Sequence, residues 1–420
     1  MGSSAKQKRK EKEEAKPSRL GKRARIEREG RRIERERRND PDVPESSRAA
    51  ELRSSSAQAR RQIILVDLYG GMGTSLSSLS QIDASELDVV HYLYIDDSAV
   101  ARRAAEALHN AQGWGRRCWR EYREISVTQR VSSIRARIRA IRRMYPQADL
   151  VITAGPPCAD VSRVNPFRVT TRAMTFWRAF ERITSSFPDA IAIAETTTNA
   201  DSHVIQAINL LLTDAGFFPP MALCPTLLGQ PMRRDRHFWV RHPRSRRRPT
   251  ADRILTAYRA FHSLPRITRR PLEWYVPSYN ASGHVWLQDG TRRSLRGAVW
   301  RVRPGVSTVA TVTSSGRAQN GGHAFQVRLR GSDEFVGVPL PFVALGRLFC
   351  GACTTHGEVR HCRCLALYEH VRQRGLGTHT HTDAQGNRVR FSVKELRGLF
   401  GRSIALCVLQ AILIHILYYM

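Results

Sequence analysis

The chain has 420 residues, of which 68 are Lys or Arg and 37 are Asp or Glu, so that its formal net charge at pH 7 is +31. This length suffices for one catalytic domain of about 250–300 residues with a small lobe and a tail. A positive field of this size favours polyanionic partners, either nucleic acid or anionic lipid. The 8 cysteines, without an N-terminal apolar segment, argue against a secreted, disulfide-based framework.

Residues 1–60 are predicted to be a charged tail and linker, because basic and acidic side chains alternate there without apolar periodicity. The basic clusters at residues 8–10 and 22–25 fit either a solvated tail or nuclear import and nonspecific DNA contact. After Lys22 the only lysine is Lys394, so arginine carries the basic charge of the folded part. Arginine offers bidentate contacts to phosphates and bases, although a compositional bias of the source genome is the alternative.

Predicted strands and helices alternate from Arg61 to about residue 243, which is typical of a doubly wound, parallel α/β sheet. A domain boundary is expected near Arg244, where arginine and proline clusters begin. Short alternating runs beyond it, such as 325–329, predict a small β-rich lobe. The predicted strands are 63–68, one ending at Asp96, 149–153 and 190–194, and the predicted helices are 98–112, 132–144, 172–185 and 204–215.

A glycine-rich turn, Asp67-Leu68-Tyr69-Gly70-Gly71-Met72-Gly73-Thr74, follows the first predicted strand. In an open parallel sheet, ligands bind at the carboxyl ends of the strands, and glycine lets the backbone approach a cofactor closely. Asp96, at the end of the second strand, is placed to accept hydrogen bonds from a ribose. Because the spacing is not that of a dinucleotide fingerprint, a purely structural turn is the alternative.

Cys158 follows the predicted strand 149–153 in the segment Gly155-Pro156-Pro157-Cys158. Two prolines fix the loop, and a thiolate nucleophile requires exposure and fixed geometry. The alternative is an inert buried cysteine. Glu195 ends the next predicted strand beside this loop, where its carboxyl can act as a proton donor.

The turn, Gly155–Cys158, Glu195 and Arg234-Asp235-Arg236 occur in the order and approximate spacing of the cytosine-C5 methyltransferase motifs, and the chain resembles that family. Segments 158–168 and 234–239 are similar to the animal de novo DNA methyltransferase subgroup. The likeness extends through 306–329, 334–339 and 399–403. Three positions differ from the family pattern, which has Asn, Gln and Trp where this chain has Thr196, Met232 and Ile404.

The resemblance implies a Rossmann-like class I S-adenosylmethionine-dependent methyltransferase sheet at 61–243, a small β-rich target-recognition lobe at 244–335, and a return to the core at 336–420. It implies that Cys158 adds to C6 of cytosine, that Glu195 holds N3, and that Arg234 and Arg236 orient the ring. The expected cofactor contacts are Tyr69, Gly70, Gly71, Met72, Gly73, Thr74, Asp96, Glu124, Pro156, Arg402, Ser403 and Ile404, and the expected DNA contacts are Ser162, Asn165, Arg168 and Arg317.

The implied activity is methyl transfer from S-adenosyl-L-methionine to C5 of cytosine in nuclear DNA, with a homo-oligomer or a regulatory homologue as a further partner. The arginine that the subgroup uses on the guanine of CpG falls at Val312, with Arg317 the nearest candidate downstream, so we expect weaker CpG strictness. Two alternatives remain at this point. One is a catalytically silent DNA-binding regulatory homologue, and the other is an RNA cytosine-C5 methyltransferase.

Two further segments predict specific features. Cys350-x2-Cys353 and Cys362-x-Cys364 lie in an insertion at about 350–390 and are either four ligands of a zinc ion or ordinary loop cysteines. The apolar stretch 404–420 is shorter than the roughly 20 clean residues that a membrane span needs. The resemblance makes it the last core segment, and we expect no membrane partner.

Overall fold

A computed structural model of the chain describes residues 60–79, 82, 87–111, 118–163, 169–264, 266–267, 284–286, 292–294, 299–304, 306, 325–328, 333–338, 378–382, 388–392 and 404–420. Within these ranges the chain forms a seven-stranded sheet covered by helices on both faces, together with three small antiparallel sheets.

The main sheet has the spatial strand order β3-β2-β1-β4-β5-β7-β6. β1 pairs in parallel with β2 on one side and with β4 on the other, so the order of the strands reverses at β1. Ligands of open α/β sheets bind outside the carboxyl ends of the strands at such a reversal. The strands are β1 (Arg61–Leu68), β2 (Leu87–Asp96), β3 (Trp119–Glu124), β4 (Asp149–Ala154), β5 (Ile191–Thr197), β6 (Met221–Leu223) and β7 (Arg236–Arg241).

The sheet is mixed, whereas the alternation of strands and helices predicted a wholly parallel one. β7 runs antiparallel to both of its neighbours, β5 and β6. A parallel neighbour requires a long crossover, but the connection from β6 to β7 contains only a 3₁₀ turn at Pro225–Leu228. This strand order with one antiparallel strand is the Rossmann-like arrangement of class I methyltransferases, which confirms the predicted fold class.

β3 is an edge strand that the sequence analysis did not predict. Four of its six residues are charged, and every residue in it is exposed or half-buried. A strand buried on both faces has a continuous apolar run, whereas an edge strand does not need one. The absence of that run explains why the sequence pattern did not reveal β3.

Two apolar cores lie on opposite faces of the sheet. Alternate residues of β1 divide between them, with Ile63 and Leu65 in one core and Ile64 and Val66 in the other. The first core is covered by α1 (Thr74–Leu79), α2 (Ala99–Ala111), α6 (Ala251–Phe261) and α7 (Leu406–Ile414), and the second by α3 (Val131–Met144), α4 (Thr170–Thr184) and α5 (Ser202–Asp214).

The C-terminal apolar segment lies in the first core. α7 is followed by a π-helical turn, His415–Tyr419, and the side chains of Leu409, Ile412 and Leu413 are fully buried. The guanidinium of Arg61 donates a hydrogen bond to the carbonyl of Leu417 at 2.6 Å and so ties this segment to β1. Among the described residues, no helix is both long and apolar enough to cross a bilayer.

Helix α6 lies beyond the boundary expected near Arg244. Its Ile254 and Tyr258 are nevertheless buried in the same core as α7, and the boundary itself stays a prediction. The small sheets are β8 (His284–Trp286) with β9 (Arg292–Ser294), β10 (Val299–Val302) with β11 (Phe325–Arg328) and β12 (Phe335–Val338), and β13 (Thr378–Thr382) with β14 (Arg388–Ser392).

Candidate functional site

A tight turn joins β1 to α1 at the carboxyl edge of the sheet. Tyr69, Gly71 and Gly73 adopt left-handed backbone conformations, with φ of 56°, 54° and 66°. The Gly73 amide donates to the carbonyl of Gly70 at 2.7 Å and closes the turn. For Tyr69 this conformation costs about 1–2 kcal/mol. Such strain concentrates at ligand-binding turns, and the surrounding packing must hold it in place.

Two acidic residues predicted to contact the cofactor stand beside this turn. Oδ2 of Asp96 accepts the Gly71 amide at 3.0 Å, and Oδ1 accepts the Ser98 amide at 2.9 Å. Glu124 is the register partner of Asp96 at the end of β3, and its carboxylate accepts the Arg102 Nε at 3.3 Å. The glycine turn and both carboxylates therefore meet at one edge of the sheet. This arrangement fits the adenosine part of a nucleoside cofactor, since carboxylates accept ribose hydroxyls there.

Asp67 lies beneath the turn and connects four elements. Its carboxylate accepts hydrogen bonds from Ser75 Oγ at 3.0 Å, Tyr92 OH at 3.0 Å and Thr153 Oγ1 at 2.9 Å. Asp67 is only 3% exposed. Burial raises its pKa to about 7, although the three hydroxyl donors act in the opposite direction. Asp67 belongs to the turn motif in the sequence, but the motif alone does not reveal this role.

The loop after β4 presents Cys158. Pro156 is buried and Pro157 exposed, and a 3₁₀ turn begins at Cys158, which is half-buried. Asp160, in the same turn, accepts two hydrogen bonds from Arg172, from Nε and Nη2, both at 2.6 Å. Arg172 also lowers the pKa of the Asp160 carboxyl. This bidentate pair fixes the loop to the first turn of α4.

Glu195 lies at the end of β5 and is paired with an arginine from β7. Its register partner on β7 is Phe238, so Arg236 is its diagonal neighbour on the same face. Arg236 Nε is 2.6 Å from Glu195 Oε1, and both side chains are at least nine-tenths buried. The two groups form an ion pair, but the angles at Oε1 are not those of a hydrogen bond. Oε2 faces the loop that carries Cys158, 3.9 Å from the position that a Cβ on Gly155 would take.

Arg234 completes the group of four residues predicted to be catalytic. It is 2% exposed, and burial followed by repulsion from Arg236 lowers its pKa to about 9. Burial raises the pKa of the Cys158 thiol, while the positive charges of Arg236 and Arg234 lower it. The carboxylate of Glu195 adds to the effect of burial. The four side chains therefore lie within electrostatic reach of one another, and their catalytic roles stay predictions.

The three departures from the family pattern differ in where they lie. Thr196 is fully buried, and its Oγ1 has no hydrogen-bond partner among the described residues. Because side chains alternate along a strand, Thr196 points to the opposite face from Glu195 and takes no part in holding it. Met232 is also fully buried. Ile404 lies against the loop that carries Cys158, with its Cγ1 3.7 Å from the position that a Cβ on Gly155 would take.

Of the residues predicted to contact DNA, Ser162 is described. Its amide donates to the carbonyl of Cys158 at 2.9 Å, and it forms an isolated bridge with Ala200. In the part of the chain that the structure covers, no group of three or more His, Cys, Asp or Glu residues is arranged to hold a metal ion. Asn165, Arg168, Val312, Arg317, Cys350, Cys353, Cys362, Cys364, Arg402 and Ser403 lie outside the described residues.

No protein-family model and no curated protein sequence matches the chain. Solved structures of similar fold include the Dnmt2 methyltransferase of S. pombe, 12% identical, covering 85% of this chain and 98% of that chain with a TM-score of 0.49. Another is the methyltransferase EhMeth of Entamoeba histolytica, 10% identical over 86% of this chain and 98% of that chain, with a TM-score of 0.48. A methyltransferase encoded within an E. coli prophage is 13% identical, covering 85% of this chain and 98% of that chain with a TM-score of 0.41. At such identities the likeness concerns the fold alone.

Proposed function

We propose that the chain is an S-adenosylmethionine-dependent methyltransferase that modifies C5 of cytosine in DNA. The observation that carries the proposal is the grouping of a half-buried cysteine, a buried carboxylate and two buried arginines beside a glycine turn. Perturbed ionisable groups that converge at the carboxyl edge of an α/β sheet are typical of an active site.

The cofactor in this proposal, S-adenosyl-L-methionine, supplies an electrophilic methyl group when bound. Three of the six residues of the turn at 69–74 are glycines, which lets a cofactor approach the backbone there, and Asp96 and Glu124 stand at the ends of the adjoining strands. Pro156 and Ile404 lie at the other end of this edge, next to the catalytic loop. These residues would hold the cofactor between the glycine turn and Cys158.

Cys158 is proposed as the nucleophile. C5 of cytosine is too weakly nucleophilic to take a methyl group unaided, so the Cys158 sulfur forms a bond to C6 and the electrons of the C5=C6 double bond move to C5. The thiol must first lose its proton. The positive charges of Arg236 and Arg234 favour the thiolate against the effect of burial.

Glu195 is proposed to hold the edge of the base. Arg236 occupies one of its oxygens, Oε1, and the other, Oε2, faces the loop that carries Cys158. When the base binds, Oε2 takes up a proton from solvent and donates it to N3 as charge moves to C5. C5 then takes the methyl group. Loss of the C5 proton to solvent water restores the double bond, expels the Cys158 sulfur as thiolate and returns the N3 proton to Glu195. The cytosine must leave the base stack to reach this buried group.

DNA in the nucleus is the proposed substrate, with a homo-oligomer or a regulatory homologue as a further partner. The net charge of +31 supports a nucleic-acid substrate. The longer motif likeness to the animal DNA subgroup supports DNA over RNA.

The test is covalent trapping by duplex DNA that carries 5-fluorocytosine, with RNA of the same sequence beside it. The assay contains S-adenosyl-L-methionine, because addition of Cys158 alone is reversible. After methyl transfer, C5 of this base holds fluorine in place of the proton that must leave, so the Cys158–C6 bond should persist. Cys118→Ala is the matched control, since Cys118 is likewise free and half-buried. The unaltered chain and Cys118→Ala should form the adduct with DNA, and Cys158→Ala should form none. An adduct with Cys158→Ala would remove Cys158 from the mechanism, and trapping by RNA alone would favour an RNA methyltransferase.

A further inference from the structure

Two fully buried side chains hold the carbonyl groups of the glycine turn from below. Tyr94 OH, from β2, donates to the carbonyl of Gly71 at 2.8 Å. His109 Nε2, from α2, lies 2.8 Å from the carbonyl of Gly73. Both side chains are 0% exposed. The two carbonyl groups are therefore directed into the protein interior, away from the carboxyl edge where a ligand binds.

The tautomer of His109 follows from its partners. A carbonyl oxygen only accepts, so Nε2 carries the proton and donates to Gly73. Nδ1 then accepts from the hydroxyl of Tyr122, 2.8 Å away. Burial lowers the pKa of His109 to about 3, so the ring is neutral at physiological pH. His109 thus acts as a fixed spacer between β3 and the turn.

The same two rings also explain why positions 70 and 73 of the turn are glycines. A Cβ on Gly70 would lie 2.5 Å from the Tyr94 ring, and a Cβ on Gly73 would lie 2.5 Å from the His109 ring. Neither approach is tolerated by real Cβ atoms. The turn therefore lies directly on these rings, and each ring both contacts a glycine and binds a carbonyl group.

We infer that Tyr94 and His109 are positioning residues for the cofactor, acting through the glycine turn and without touching the ligand. This inference rests on the proposed function. A carbonyl group turned toward the site would repel the carboxylate of the amino-acid part of the cofactor. A turn free to sample such conformations would also lose more conformational freedom on binding. Holding both carbonyl groups inward avoids both costs.

The decisive variant is Tyr94→Phe, which removes one hydroxyl and keeps the ring. Its matched control is Tyr92→Phe, because Tyr92 belongs to the same strand, is also 0% exposed and donates its hydroxyl to the side chain of Asp67 in β1 instead of to a carbonyl group of residues 70–73. The probe is S-adenosyl-L-homocysteine, whose binding needs neither nucleic acid nor turnover. The measurements are its dissociation constant by calorimetry and the melting temperature without ligand.

Both substitutions should lower the melting temperature by similar amounts, because each removes one buried hydrogen bond. Tyr94→Phe should weaken binding about fivefold to tenfold, whereas Tyr92→Phe should change it less than about twofold. A purely structural role would lower stability in both variants and leave both dissociation constants unchanged.

His109 provides a second pair of variants. In His109→Gln the amide can reach the position of Nε2 and still donate to Gly73, whereas in His109→Asn it reaches only the position of Nδ1. Binding should therefore be weaker for His109→Asn than for His109→Gln.

The outcomes separate the two proposals. Binding by the unaltered chain with an unchanged dissociation constant in Tyr94→Phe would overturn the positioning role alone. No binding by the folded, unaltered chain would overturn the proposed function and this inference with it. If His109→Asn does not fold, the comparison of Tyr94→Phe with Tyr92→Phe still decides whether the turn is held for cofactor binding.

Discussion

Cys158 lies where opposing charges control its reactivity. Burial and the carboxylate of Glu195 raise the pKa of its thiol, while the guanidinium groups of Arg236 and Arg234 lower it. The resting thiol is therefore protonated at neutral pH. In the proposed mechanism, a change that weakens the effect of burial or of Glu195 favours the thiolate, so the thiol is less reactive in the absence of substrate.

We predict that Glu195→Gln speeds alkylation of Cys158 by iodoacetamide at pH 7.5 by about threefold to tenfold. The change removes the negative charge of Glu195 and leaves the positive charge of Arg236 uncompensated, and both effects lower the pKa of the Cys158 thiol. The measurement is the rate of modification of the Cys158 peptide by mass spectrometry. Both proteins carry Cys118→Ala as a common background. This change should not alter the rate at Cys158, since burial raises the pKa of Cys118 to about 12 and makes its thiol unreactive. An equal or slower rate in Glu195→Gln would show that its charge does not act on the thiol.

Sequence patterns could identify some of these residues and not others. Cys158 and Glu195 stand at the ends of apolar strands, where chemistry-bearing side chains are conspicuous, and the structure places both at the same edge. The contact between His109 and Gly73 joins residues 36 positions apart and belongs to no motif, so only the packed structure reveals it. The ion pair between Glu195 and Arg236 likewise depends on the register of β5 and β7, which the sequence does not specify.

At the scale of elements, the sheet is held together under the glycine turn by Asp67. The helices α2 to α5 and the strands β1, β2, β4 and β5 could be predicted because their apolar periodicity is strong, whereas α6 lies in a region for which a β-rich lobe was predicted. The edge strand β3 and the antiparallel β7 could not, because an exposed edge carries no apolar run and strand direction depends on the connection from β6. The hydroxyl cluster around Asp67 joins β1, β2, β4 and α1 through side chains that are common in any core.

Asp67 should make stability depend on pH. Its pKa is about 7 when folded and 3.8 in its ordinary state, so its contribution to stability is full below pH 3.8 and is lost as pH rises through 7. The loss is at most about 1.4 kcal/mol per pH unit. Asp67→Asn does not titrate and should therefore gain stability relative to the unaltered protein between pH 5 and pH 8. Urea unfolding at pH 5 and pH 8 measures the free energy of unfolding of both proteins. A difference between them that is the same at the two pH values would contradict a protonated Asp67.

At the scale of the whole molecule, charge and fold support different parts of the function. The fold brings the glycine turn and the group of Cys158, Glu195, Arg234 and Arg236 to one edge of the sheet, and the net charge of +31 favours polyanionic partners. The tail at residues 1–60 adds positive charge without a predicted core, so it is expected to affect binding more than turnover. The zinc site and the weaker CpG preference depend on residues outside the described ranges and stay predictions.

Deletion of residues 1–58 should weaken DNA binding and make the plot of log affinity against log salt shallower, because fewer counterions are released. The melting temperature should be unchanged, since the sequence of residues 1–58 predicts a charged tail that cannot bury a core. Fluorescence anisotropy with one duplex at several salt concentrations measures the slope. A slope equal to that of the full chain would show that the tail makes no phosphate contacts.

The most direct test of the central claim is transfer of tritium from methyl-labelled S-adenosyl-L-methionine to nucleic acid. The unaltered chain and Cys158→Ser are compared on duplex DNA and on RNA of the same sequence, with digestion to nucleosides to locate the label. We expect label in 5-methylcytosine of DNA with the unaltered chain and none with Cys158→Ser. Label transferred equally by Cys158→Ser, or no label in either nucleic acid from a chain that binds the cofactor, would contradict the account.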